Sequence, residues 1–316
     1  MKVVQDPSVA WVADAWCAEA DVRPGDVAFG FLRVPLDYAV SYRPGTRFGP
    51  AAILTELGEW SLFCTDKRVS LDGVRLVDLG EVDVVHSLET TYARIRSAVA
   101  SIGPALTPVV LGGDHSISDP VVRGLADRLG SAPAVVVFDA HFDSRDPVPG
   151  KEHSGHWMRT LGDVVDYSLV AQVGISSYLY SDAYLADAEA KGVLVRTPYE
   201  IRRAGWPALV DEVCAHVSAA PAVYVSVDID CLDQTAAPGT SAVNPIGLLP
   251  YEVVDAVFEL ASRLPIVGLD VVEVSPPLDP SGATARVAAA IVLNFMAGTV
   301  VRSRTAAGIQ TLEVPA

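Results

Sequence analysis

Eight short apolar runs recur along the chain, separated by stretches long enough to be helices. VAFGFLRV (27–34), VRLVDLG (74–80), TPVVLGG (107–113), AVVVFDA (134–140), SLVAQVGI (168–175), GVLVRT (192–197), AVYVSVDID (222–230) and PIVGLDVVEV (265–274) read as strands. Most are continuously apolar rather than alternating, as a strand covered on both faces requires. Between them, residues 85–102, 118–130, 180–191, 206–219, 250–263 and 283–302 read as helices. Strand followed by helix, repeated about eight times, predicts an α/β fold whose parallel sheet is covered on both sides. No linker rich in Pro, Gly or Ser breaks this rhythm, so residues 27–316 read as a single domain and residues 1–26 as an extension lying on its surface.

Composition narrows the picture. Half of the 316 residues are hydrophobic, enough for a large core and too many for a disordered chain. With 23 basic against 39 acidic residues the net charge is −16, which argues against nucleic acid or a membrane surface as partner. The four cysteines, Cys17, Cys64, Cys214 and Cys231, form no CxxC pair, as expected of a reducing compartment. The N-terminus has no uninterrupted apolar segment of signal-peptide type, and no run reaches eighteen consecutive apolar residues. A cytoplasmic protein is the expectation.

Candidate chemistry gathers where the strands end. In a parallel sheet every strand's C-terminus faces one edge, and sites form in the crevice there. Asp114, His115 and Ser116 follow TPVVLGG; Asp139, His141 and Asp143 follow AVVVF; Asp228 and Asp230 close AVYVSV; Glu273 ends the last run. A single Asp-His after a strand is most often a helix cap, and one D-x-D is weak because Asp commonly closes a strand into a turn. Together they bring the carboxylates of Asp139, Asp143, Asp228 and Asp230 and the imidazoles of His115 and His141 to one edge with no cluster of Lys or Arg to neutralise them. Unpaired carboxylates in an apolar surround cost several kcal/mol each. Two divalent cations would balance Asp139, Asp143, Asp228 and Asp230, and an oxygen and imidazole donor set without thiolate favours Mn2+ and its hard neighbours. Residues two apart on extended backbone point the same way, so each set can converge.

These motifs resemble a known family. GGDHSI (112–117), DAHFD (139–143) and SVDIDCLD followed by PGT (226–240) are similar to the three signatures of the ureohydrolases, the arginase/agmatinase family. The likeness runs from RPGTRFGPAAI (43–53) to VVEVSPPLD (271–279), and its RPGTRFGP and EVSPP segments resemble the agmatinase branch. The resemblance implies a three-layer α/β/α fold around a mostly parallel sheet of about eight strands. It implies two Mn2+ per subunit held by His115, Asp139, His141, Asp143, Asp228 and Asp230, with hydroxide bridging the ions and attacking a guanidino carbon. It further implies that Asp143 relays a proton to the leaving amine, that Glu273 pairs with the guanidinium, and that subunits assemble as a homo-oligomer, a trimer or hexamer. The expected reaction is release of urea from a small cationic, agmatine-like guanidino compound.

The chain also departs from the pattern. Where many relatives carry a proton-shuttling His before a glycine, the loop reads Glu152-His153-Ser154-Gly155-His156, which leaves Ser154 at that place and His153 and His156 as candidate shuttles at the pocket mouth. That serine and the DAHFDSRD segment resemble the formimidoylglutamase branch, which releases formamide. Ser176, Gln234, Ser241 and Ile246 also differ from common family residues and bear on substrate identity. Two further readings remain: a metal-binding family member without turnover, and a zinc deacetylase on a related fold, which would need a single metal and one carboxylate fewer.

Overall fold

A computed structural model describes residues 6–148, 150 and 153–308. Its strands are β1 (Trp16–Cys17), β2 (Ala28–Val34), β3 (Phe63–Cys64), β4 (Val69–Ser70), β5 (Arg75–Glu81), β6 (Thr107–Gly112), β7 (Ala134–Phe138), β8 (Val170–Val173), β9 (Leu194–Arg196), β10 (Val223–Asp228) and β11 (Ile266–Val272). The helices are α1 (Gly49–Gly58), α2 (Leu88–Ala100), α3 (Ser118–Leu129), α4 (Trp157–Thr160), α5 (Asp182–Ala190), α6 (Pro198–Ala204), α7 (Trp206–His216), α8 (Pro250–Arg263) and α9 (Ala283–Ala306). Nine strands form one sheet in the order β1-β5-β2-β6-β11-β10-β7-β8-β9, every neighbouring pair parallel. Strands β3 and β4 make a separate antiparallel hairpin.

The continuous apolar runs are explained by burial on both faces. Along β7, Ala134, Val136 and Phe138 face one core while Val135 and Val137 face the other. The first core is closed by α1, α6, α7, α8 and α9, the second by α2, α3, α4 and α5, so the layers are helix, sheet, helix. Local chemistry sets the helix ends. The Ser87 hydroxyl caps α2 by accepting from the Thr90 amide, and Gly130 at φ 79° ends α3 in a left-handed conformation that glycine adopts without penalty. Helix α9 is long and apolar enough to cross a membrane, but 72% of its apolar window is buried inside the fold, where it packs on α8 and α1. It is the core helix of one layer.

All eight expected strands and six expected helices form. The N-terminal segment departs from the expectation of a surface extension. Its Trp16–Cys17 pairs with Leu76 and Val77 as a ninth strand, the Trp16 ring meets Phe31 edge-on at 5.0 Å, and Val12 is fully buried. A two-residue strand is too short to leave a run in the sequence. Residues 1–5, and 309–316 at the other end of the expected domain, lie outside the described residues. The consequence for function is that β6, β11, β10 and β7 are consecutive in the sheet, so their C-terminal ends adjoin.

Candidate metal centre

Each polar side chain is presented by a strand end with its own local constraint. After β6 the chain runs through Gly113, whose amide donates to the Val34 carbonyl at 2.8 Å; a Cβ there would lie 1.7 Å from the Leu36 carbonyl oxygen, so only glycine lets the two segments pass. Asp114 caps the next turn, accepting from the Ser116 amide at 3.1 Å and the Ala39 amide at 3.0 Å, and burial pushes its carboxyl up to about 6. It is a structural cap, and His115 beyond it enters the site. Asp139 follows β7 directly and accepts the His141 amide at 2.6 Å. Asp143 sits at φ 46° and Glu273 at φ 63°, left-handed conformations that side-chain-bearing residues rarely adopt and that cost on the order of 1 kcal/mol or more each. Asp228 ends β10 and accepts the Asp230 amide at 2.8 Å, which turns both carboxylates to one side.

The result is a compact nest. His115 Nδ1 lies 3.1 Å from Asp139 Oδ2, 3.3 Å from Asp143 Oδ2 and 3.0 Å from Asp228 Oδ2. His141 Nδ1 lies 3.4 Å from Asp139 Oδ1 and 3.1 Å from Asp230 Oδ2. Two donor groups emerge, His115–Asp139–Asp228 and Asp139–His141–Asp230, each with its ligand atoms within 4.8 Å of one another and with Asp139 common to both. Asp143 completes the set beside His115, its Oδ2 also accepting the Trp157 indole N–H at 3.0 Å. All six residues expected as metal ligands are therefore brought together.

Charge and hydrogen bonding both call for cations. Burial, reinforced by Asp230 and Asp139, pushes Asp228 well above the usual carboxylate range; burial with Asp143 and Asp230 raises Asp139 as well. Burial opposes charge on His141, yet Asp230 and Asp139 outweigh it and push the imidazole up to about 12. The protein alone thus gathers more negative charge than it can solvate. Among the described residues, His115 Nδ1, Asp139 Oδ2 and Glu273 Oε2 are buried without a hydrogen-bond partner, a costly state that a bound cation or substrate relieves. Nitrogen and oxygen donors without sulfur suit Mn2+ and other hard divalent ions, and two such ions fit the residues present.

The family model described as the Arginase family matches residues 27–298. The chain belongs to the arginase family. Among its relatives is the formimidoylglutamase of Halalkalibacterium halodurans, 34% identical over 283 residues that cover 87% of this chain and 88% of that protein. The mitochondrial agmatinase of Gallus gallus is 33% identical over 272 residues, covering 84% of this chain and 79% of that one. The crystal structure of formimidoylglutamase from Bacillus subtilis superposes with a TM-score of 0.86 at 29% identity, covering 94% of each chain. The protein is an arginase-family hydrolase with the arginase-like α/β fold, its relatives spanning both branches that the motifs resemble.

A cleft of about 300 Å³ opens over the nest, and its walls settle where the remaining candidates stand. Glu273 lines it: its Oε1 accepts the His115 amide at 3.0 Å, its own amide donates to Gly113 at 2.8 Å, and its Oε2 is unpartnered. Burial, then Asp114, push this carboxyl well above its ordinary range. His153 and His156 do not line the cleft; Ser154 and Gly155 do. The two imidazoles lie 3.7 Å apart centroid to centroid, with His156 Nδ1 against the Arg145 carbonyl at 3.1 Å and His153 Nδ1 accepting the Gly155 amide. Each Nδ1 is turned to the backbone of its own loop, and neither ring lines the cleft, which departs from the expectation that one of them stands at the pocket mouth; Glu152 beside them lies outside the described residues.

Arg145, absent from the expected set, lines the cleft. It is half-buried, packs on the Tyr180 ring at 5.3 Å, and pairs with no carboxylate among the described residues. Its signal was available: it follows Asp143 by two positions, and an arginine that close to an acidic nest stands out on charge alone. Of the departing positions, Ser241 lines the cleft, Ser176 accepts from Asn244 at 2.7 Å, and Ile246 lines a neighbouring groove.

Proposed function

We propose that the protein hydrolyses the C–N bond of an amidine borne by a carboxylic acid, a formimino or guanidino amino acid, with two Mn2+ ions held by His115, Asp139, His141, Asp143, Asp228 and Asp230. The observation that carries the tail's identity is Arg145. The acidic residues lining the cleft are Asp143, Asp228, Asp230 and Glu273. Three of these belong to the cation nest and Glu273 meets the amidine, so among the described residues no carboxylate remains for an amine tail. Arg145 offers instead a guanidinium that pairs with no carboxylate among the described residues, shaped for bidentate recognition of a carboxylate. This reading places formimino acids ahead of agmatine, the tail being anionic even though the reacting end is cationic. The Arg145-bearing DAHFDSRD segment, similar to the formimidoylglutamase branch, supports the same order.

The bound ions would supply water acidic enough to be nucleophilic near neutral pH. Everything else falls to the chain. Glu273 uses its free Oε2 to pair with an amidine N–H and hold the planar carbon over the nest. Asp143, fixed by the Trp157 N–H, accepts the proton released as water adds and delivers it to the departing nitrogen, so that the carbon leaves as formamide or urea and the nitrogen as a free amine. Serine hydroxyls at 41, 154 and 241 and the Tyr42 side chain offer further polar contacts around the tail.

The test is product release by Mn2+-loaded protein from formimidoylglutamate, 4-guanidinobutyrate, arginine, agmatine and guanidine. Carboxylate-bearing substrates should exceed agmatine by at least about tenfold in kcat/KM, the worth of one charged hydrogen bond. Preference for agmatine would overturn the assignment of the tail, and metal uptake with no turnover of any substrate would overturn the assignment as an enzyme.

A further inference from the structure

On the side of His115 away from the cleft, the imidazole meets a second polar network that the proposed reaction does not use. Its Nε2 lies 3.0 Å from the Ser226 hydroxyl, and Ser226 donates to Asp270 Oδ1 at 2.6 Å. Asp270 is fully buried on β11, and its Oδ2 accepts from the Ser118 hydroxyl at 2.5 Å and from the Tyr224 hydroxyl. Three hydroxyls converge on this one side chain as donors, and a carboxylate has no proton to give back, so Asp270 acts here as an acceptor. The single Ser226 proton is thereby committed to Asp270. Towards His115 the serine can only accept, which places the imidazole proton on Nε2 and leaves Nδ1 bare, facing Asp139, Asp143 and Asp228. Among the described residues, no hydroxyl–carboxylate pair of this kind backs His141.

We infer that Asp270, acting through Ser226, is a positioning residue that fixes the His115 tautomer and so sets the affinity of one of the two cation subsites, the one built on His115. The inference rests on the two-cation reading above. Removing the partner of a ligating imidazole typically costs 10- to 100-fold in metal affinity. Asp270→Asn does more than remove a partner. The introduced amide keeps its oxygen towards the Ser118 and Tyr224 hydroxyls and turns its NH2 to Ser226, which then accepts from the amide and donates to His115 Nε2. The imidazole proton is driven to Nδ1, into the position the cation needs. Tyr224→Phe deletes a donor to the same carboxylate but leaves the Ser226 link intact.

The experiment is titration of chelator-stripped full-length protein with Mn2+, following free ion by electron paramagnetic resonance, with circular dichroism to confirm folding. The unsubstituted chain should take up two ions. Ser226→Ala should hold one with unchanged affinity and the other about 10- to 100-fold more weakly. Asp270→Asn should weaken that same ion at least as much, and Tyr224→Phe should match the unsubstituted chain in both sites whatever happens to its melting temperature. Two ions of unchanged affinity on Ser226→Ala and Asp270→Asn would overturn the inference, as would equal weakening by all three substitutions, which would mark a general loss of core order. Fewer than two ions on the unsubstituted chain would bring down the two-cation reading itself, a result distinct from either.

Discussion

Arg145→Gln isolates the recognition of the substrate's tail. The backbone at this position is held from both sides, the amide donating to the Gly155 carbonyl at 3.0 Å and the carbonyl facing His156 Nδ1 at 3.1 Å, so the loop keeps its course when the side chain changes. What is lost is the guanidinium over Tyr180. A hydrogen bond to a charged partner contributes about 1.5–3 kcal/mol, and the half-open position of Arg145 favours the lower half of that range. The substitution should therefore reduce kcat/KM for formimidoylglutamate or 4-guanidinobutyrate by about 10- to 40-fold. The loss should fall in KM with kcat nearly unchanged, since the tail is bound equally in the ground and transition states. For agmatine the sign reverses. Two like charges about 4 Å apart repel by about 1 kcal/mol even with water-like screening, so relief should raise kcat/KM by about fivefold. Steady-state kinetics on both substrates, with bound Mn2+ quantified in parallel, reads both effects. Equal losses on the acid and on agmatine, or no loss on the acid, would refute the reasoning.

Asp139→Asn should leave neither ion at full occupancy, because both donor groups share this carboxylate, and retention of two Mn2+ by elemental analysis would contradict the shared role. Glu273→Gln should keep both ions and the order of substrate preference while lowering kcat/KM on every amidine by about 10- to 100-fold, since a charged hydrogen bond is lost at the reacting end. Gly113→Ala should destabilise the protein by more than about 4 kcal/mol, seen as loss of soluble yield or a collapsed denaturation midpoint, because its Cβ meets backbone that cannot swing away. Mn2+ at about a hundred times its dissociation constant should add about 2.7 kcal/mol per site and raise Tm by several degrees. That gain should vanish with chelator and shrink between pH 8 and pH 6, because the ligands must shed protons to bind.

What could be read along the chain, and what could not, follows from how each feature is encoded. Strands buried on both faces leave uninterrupted apolar runs, so β2 and β5 to β11 were visible; β1, two residues long, could not be. Helix α1 hides behind the Gly-Pro of GPAAILTELG, where the proline occupies the first turn and so marks a start that resembles a loop. Helix α6 begins the same way at Pro198, behind a Thr197–Glu200 capping box. The six nest residues were legible because strand ends and a spacing of two fix direction as well as position. His153 and His156 lack that guarantee: they follow a loop, and a ring near a motif in sequence can turn its nitrogens to backbone instead of the cleft. Arg145 needed a question about charge balance rather than about motif.

The cleft divides its labour between two kinds of chain. The cation donors follow β6, β7 and β10 and Glu273 follows β11, adjacent strands whose shared hydrogen bonds leave them little freedom to drift. Arg145, Ser154, Ser241 and Ala242 stand farther out, on connecting loops. Changes in those loops can retarget the enzyme towards a new side group while the reactive hardware stays as it is. Lineages built this way can diversify in diet without reinventing their chemistry, and exchanging the 144–156 segment between two such proteins would be the shortest route to trading one appetite for another.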